Sequence, residues 1–370
     1  MTSRQLALAG AALSLFYANA AFAFPEMVRK GYANCTSCHV STTGGGVLTE
    51  YGRELSVEAL SWKGSESEAE FAYDLFKSPE WLNAGGDVRW VQTYVNTPTS
   101  VSGRDIWMQA DGEAAVTVGP FTADGTAGVD EFGSFISRRH YLIYRTPVEG
   151  LSLRAGKFLP EYGIHFADHY LEVRRGLNLN EEAFPNLAES YNLEAAYIGE
   201  TWNFYATAIF GRPDDLALNH EKGFSLQASY FFDDRYKVGV SLYGGRHEDT
   251  SEDVGPGYRY VYGPYGILGF TKYFFLLSEF DFQTLQNSNE GFADYNRLDY
   301  EIFQGLHIFL TQEYGRYQFA DPGTTDEVYG IGTQFFPRPH FELEAMYQKR
   351  RELGANYMVD YAFLMLHFYL

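Results

Sequence analysis

From about Gly85 to its last residue the chain alternates apolar and polar side chains, with little of the three-to-four-residue spacing that marks a helix. In Ile106-Trp107-Met108-Gln109-Ala110-Asp111-Gly112-Glu113, the residues Ile106, Met108 and Ala110 fall on one face and Gln109, Asp111 and Glu113 on the other. The dyad returns over 191–197, with Asn192 and Glu194 on the polar face, and over 224–232, with Ser225, Gln227 and Ser229. It returns again over 341–347, with Glu342 and Glu344. Successive side chains of a strand point to opposite faces. A long series of such strands reads as a transmembrane barrel, apolar toward lipid and polar toward the lumen. A soluble β-sandwich alternates too, but it turns the polar face outward and hides its aromatics.

The breaks in the alternation come in two kinds. Short turns are expected at Gly119-Pro120, 147–150, Gly199-Glu200, Asp233-Asp234, Thr271-Lys272, Gln304-Gly305 and 337–339. The connections between them, near 97–103, Gly133, 159–187, 212–219, 246–257, 286–291, 321–325 and 352–355, are mostly longer. Short periplasmic turns, longer outer loops and both termini inside predict an antiparallel barrel of about 16 strands over residues 83–370. The chain ends on Leu364, Leu366, Phe368 and Leu370, an alternating apolar strand like those that end bacterial outer-membrane proteins. Residues 159–189 form the longest loop, and loops of that length usually have a task. It carries His165, His169, Arg174 and Arg175, placed to constrict the pore, cover a cofactor or supply a ligand.

Ahead of the barrel the pattern changes. Residues 65–82 read as one amphipathic linker helix, with Glu66, Glu68 and Glu70 early, Phe71, Leu75 and Phe76 later, and Pro79 near its end. The start of the chain, residues 1–23, reads as a secretory signal peptide: Arg4, an apolar run over 6–16, and Ala21-Phe22-Ala23 as the cleavage site. That run falls short of the roughly 20 residues a spanning helix needs.

Composition sharpens the class. There are 29 Tyr, 30 Phe and 37 Gly among 370 residues, more aromatic surface than a soluble core of this size would hide. A formal net charge of -20 argues against nucleic-acid binding. Asp111, Glu113, Glu194, Glu279, Asp281, Asp299, Glu301, Glu313, Glu342 and Glu344 all fall on the lumen face of this register. Focused negative potential in a narrow tube draws cations such as Fe²⁺, although a polar lumen is common to porins. Arg138, Arg139, Arg154, Arg174 and Arg175 would balance those acids or bind carboxylates of a cofactor.

The cofactor is suggested by residues 24–64, which hold the only 2 cysteines of the chain. Cys35-Thr36-Ser37-Cys38-His39 has the spacing of a c-type haem attachment site: two thiols add to the haem vinyl groups and the next histidine binds iron. A thioredoxin-like pair would need a βαβ context, and a structural disulfide leaves His39 unexplained. One covalent haem is therefore expected, with His39 as axial ligand. For the sixth position His169 stands first, followed by His165, Met27, His307 and His367. So short a segment cannot enclose a haem alone. Gly44, Gly45 and Gly46 would let backbone pass close to a porphyrin, or simply form a flexible loop, and a helical turn is expected from Thr49.

The signal peptide, Cys35, Cys38 and His39, the following Leu48-x-x-Tyr51-Gly52 and a 16-strand barrel together resemble the fused monohaem cytochrome–porin family of the outer membrane, which includes iron oxidases. The resemblance implies that the haem segment plugs the barrel on its periplasmic side or within the lumen. It implies electron transfer between an extracellular donor, Fe(II) among the candidates, and a soluble periplasmic cytochrome or other carrier. Such a protein is either an Fe(II):cytochrome c oxidoreductase or a plain electron carrier. The competing reading is a diffusion porin for small solutes in which the segment is a plug or redox gate.

Overall fold

The computed structural model describes residues 25–74, 78–129, 133–165, 173, 189–213, 222–247, 257–285, 290–316, 318–321, 323, 325–351 and 356–370. The signal peptide lies outside them, as do His169, Arg174 and Arg175. From Leu82 onward the alternating pattern folds into one antiparallel sheet closed on itself. The first strand, Leu82–Asn96, pairs with the second, Val101–Val118, on one side and with the last, Val359–Tyr369, on the other. Among the described residues the sheet contains 17 strand segments, but the two-residue Phe135–Ile136 sits on the same edge of Phe121–Val129 that His140–Arg145 continues. Taken together these two make one stave, so the barrel has the sixteen staves expected.

Its faces are those of a membrane barrel. All ten carboxylates placed on the lumen face are buried, as are Asn192, Ser225, Gln227 and Ser229, while aromatics populate the outer surface. Trp202 stacks on Phe204 at 5.8 Å and meets Tyr230 at 4.6 Å; Tyr230 stacks on Phe232, and Phe232 on Tyr236. This ladder lies beside the turns at Gly199 and Asp233, where an interfacial aromatic girdle belongs. Asp233 and Asp234 both take positive φ, 51° and 54°, which matches the two-residue turn whose twist fits a hairpin.

Three expectations need correction. Arg89 pairs with Gln109 but Trp90 pairs with Trp107, so Met108 is an extra residue. This bulge reverses the facing below it, and Trp107 rather than Ile106 stands on the outer surface, 61% exposed. The first outer connection spans only 97–100, since the strand starts at Val101. The single linker helix over 65–82 does not form: its described residues give two 3-10 turns, Glu66–Glu68 and Phe71–Asp74. The Glu68 carboxylate accepts from the Ser65 backbone N–H at 2.8 Å and from Arg338 at 2.6 Å, and Tyr73, within the second turn, takes a φ of 58° that no α-helix continues. A bond to the barrel thereby replaces helical continuation.

The chain before the linker packs inside the barrel. It comprises a 3-10 turn, Pro25–Lys30, the cysteine motif, the glycine run and a helix, Glu50–Leu55. Thr49 caps that helix by accepting from the Gly52 N–H at 3.2 Å. The long loop also turns inward where it is described: Tyr162 donates to Asp281 at 2.6 Å, the Gly163 N–H to Ser241 at 2.9 Å and the Ile164 N–H to Glu279 at 2.7 Å. Val28 and Ala33 of the N-terminal segment join Tyr162, Ile164 and Val173 of the loop in one buried cluster with the wall residues Ile209, Phe231 and Tyr243.

Candidate functional site

The cysteine motif is a tight turn, in which the Cys38 and His39 N–H groups both donate to the Cys35 carbonyl, at 3.3 and 3.0 Å. His39 and Leu48 then form an antiparallel bridge, so the glycine run is the tip of a small loop closed at its neck. Gly44, Gly45 and Gly46 have φ of 85°, 69° and 72°, a run in the left-handed region that no other residue tolerates as readily. The tip is therefore a shaped turn pressed on the wall. A side chain at Gly46 would meet the Glu113 carboxylate at 2.6 Å.

That shape sets the histidine. The Gly46 carbonyl lies 3.2 Å from His39 Nδ1, so Nδ1 carries the proton and Nε2 keeps its lone pair. Burial holds the imidazole neutral by pulling its pKa down to about 4, the Gly46 hydrogen bond opposing and the Arg139 charge assisting. Burial pushes the Cys35 thiol up to about 12 and raises Cys38 as well. Both thiols are unbridged. Met27, Leu55 and Leu60 pack with Cys38, with Tyr32 and Ala59 at the margin. An oriented imidazole, two unbridged thiols and an apolar wall beside one of them fit a covalently attached haem.

Gly52 explains the Leu48-x-x-Tyr51-Gly52 spacing. A Cβ there would lie 2.3 Å from the Cys38 carbonyl oxygen and 2.9 Å from its Cα, so the helix touches the motif through this missing side chain. Gly52→Ala gains about 1 kcal/mol of helix propensity but forces backbone apart, at about 1–3 kcal/mol, so the clash dominates. Limited proteolysis of the folded barrel should release fragments of residues 25–62 earlier in this variant than in the wild type.

The wall grips the segment through the acids seen in the sequence. Arg154 donates to Glu194 at 2.9 Å and to Ser41 at 2.9 Å, while Thr42 donates to Glu194 at 2.7 Å. Across the lumen Arg29 donates to Glu301 at 2.7 Å, and Lys30 stands 3.5 Å from the same residue. Arg139 pairs with Glu113 at 3.0 Å and Arg138 with Asp111 at 2.9 Å. Of the two roles expected for the described arginines, Arg138, Arg139 and Arg154 thus fill the balancing one. Four of the ten lumen acids, Glu194, Glu301, Glu279 and Asp281, bond to the segment or the loop. The Glu26-Met27-Val28-Arg29-Lys30 anchor was missed, although charged residues crowded into so short an apolar turn were its signal.

The histidines sort in the same way. His307 lies 2.7 Å from Asp299, and His367 lies 2.7 Å from Glu342 and 3.3 Å from Asp87. Both face the lumen as expected, and both are held by wall carboxylates. His165 is paired with Glu161 at 2.7 Å. The first-ranked sixth ligand, His169, falls outside the described residues.

No family model matches the chain, and no curated protein matches it in sequence. Solved structures do match. A loop L8 deletion mutant of OmpT, an outer membrane protein of Vibrio cholerae, is 14% identical with a TM-score of 0.60, covering 78% of this chain and 99% of that one. The outer membrane channel DcaP of Acinetobacter baumannii is 14% identical with a TM-score of 0.56, covering 80% and 99%. An anion-selective porin from Comamonas acidovorans is 9% identical with a TM-score of 0.60, covering 78% and 99%. The chain has the porin-type fold of bacterial outer-membrane β-barrels.

Proposed function

We propose that the protein is an outer-membrane electron conduit: a porin-type barrel closed by its own N-terminal segment, which carries one c-type haem on Cys35 and Cys38 with His39 as axial ligand. The observation that supports this reading is that the residues flanking the Cys-x-x-Cys-His turn are held by the barrel wall, Ser41 and Thr42 by Arg154 and Glu194 and Arg29 by Glu301. The apolar band of such a barrel is about 25 Å tall, so a lone haem can serve both sides only from within it. Bound there, the haem would accept one electron from an extracellular reductant such as Fe²⁺ and yield it to a soluble periplasmic carrier. The chain's own residues shield it, orient His39 and keep water and solutes from the lumen.

The test uses the matured protein in sealed liposomes with its long loops outward. Fe²⁺ added outside should reduce both the haem and an entrapped soluble cytochrome c. Vesicles that leak small solutes while the haem stays oxidised would refute the conduit.

A second reading is favoured by the comparisons themselves, which include a named channel and a named porin. In it the protein is a diffusion channel for small solutes and the segment is a gate. It needs no electron transfer, and it predicts substantial ion current through the native protein or through a reduced state of it.

A further inference from the structure

In the haem reading His39 would hold the iron from one side, and a second donor, where there is one, would come from elsewhere in the chain. We propose that Met27 is that donor, its thioether sulfur binding the iron through a lone pair, with no proton released; the inference rests on the haem reading above. Met27 is 0% exposed and packs directly in the cluster that contains Cys38. A buried thioether is thus already present in the apolar layer around the second attachment thiol.

The histidine lies toward a separate layer. Its Nδ1 is latched to Gly46, Gly46 abuts Glu113, and the flanking Val40 and Val47 pack on Ala115 in a cluster that shares no residue with that of Met27. The turn bearing Met27 is also fixed in position. The Tyr32 N–H donates to the Met27 carbonyl at 3.4 Å, and two residues on, Arg29 is tied to Glu301 and to the Lys272 carbonyl. A donor held this way loses little freedom on binding. The described competing histidines, His165, His307 and His367, are engaged with carboxylates. Thioether ligation also raises a haem potential relative to a second imidazole, which suits a site that takes electrons from a weak reductant such as Fe²⁺.

The experiment compares the full-length wild type, Met27→Leu and Met27→His, each matured in a haem-attaching host and checked for barrel assembly by heat-modifiable migration. Wild type should be low-spin with a weak near-infrared sulfur-to-iron band in the ferric state. Met27→Leu keeps the packing volume and should lose that band, while its ferrous form binds carbon monoxide readily. Met27→His should stay low-spin without the band and at a lower potential. A haem-bearing wild type without the band, or a Met27→Leu spectrum identical to wild type, overturns the ligand assignment alone. A mature wild type with no haem mass overturns the haem reading beneath it.

Discussion

Replacing both thiols, Cys35→Ser with Cys38→Ser, is expected to abolish covalent haem and to reduce electron transfer across the liposome wall to the rate of protein-free vesicles, while leaving the barrel plugged. In the proposed reading attachment depends on those two sulfurs, the only 2 cysteines of the chain. The grip of the segment on the barrel depends on neither. Arg29, Lys30, Ser41, Thr42 and Thr43 make the contacts to the wall, and each survives the substitution. Cys38 is buried in an apolar cluster, so a serine there costs some local stability, small beside the buried ion pairs. Intact mass and haem absorption report the first effect, and single-channel conductance reports the second. If the variant conducts ions freely, the haem itself is a structural part of the stopper.

The barrel was legible because its information is local and repeated. Each strand states its own two faces, and the turn at Asp233-Asp234 or Gln304-Gly305 needs only nearby residues. What failed depends on distant partners. The bulge at Met108 comes from the register with Arg89 and Trp90. The linker helix yields to one arginine, Arg338, far along the chain. The motif residues were legible by spacing, but their surroundings were not: the acids on the lumen face were visible as a set, and nothing local tells Glu194 that its partner will be Thr42. The spacing of Gly52 shows only that a glycine is present, and the contact with Cys38 gives the reason.

The grip can be released without touching the cysteines, and this separates plug from cofactor. In a Glu194→Ala, Glu301→Ala variant, Arg29 and Arg154, whose side chains are 0% and 1% exposed, lose their carboxylates. Breaking a buried pair by removing one partner costs about 3–5 kcal/mol. The two acids stand on staves well apart around the barrel, 190–198 and 290–303, so the costs should nearly add. Glu301 is a better target than Arg29, because Lys30 at 3.5 Å would partly replace the arginine. Thr42 loses its acceptor at the same time. A sum of this size, with each 1.4 kcal/mol worth a factor of ten, should convert a low, sporadic current into a steady porin-like one. Under the conduit reading, covalent haem should stay on the chain, since Cys35 and Cys38 are intact, while haem reduction and transmembrane electron delivery should become uncoupled. A Glu344→Ala variant, which removes a lumen acid outside these two clasps, controls for charge. Should the wild type already conduct like an open porin and the double variant match it, the segment is no stopper, and the diffusion reading gains what the conduit reading loses.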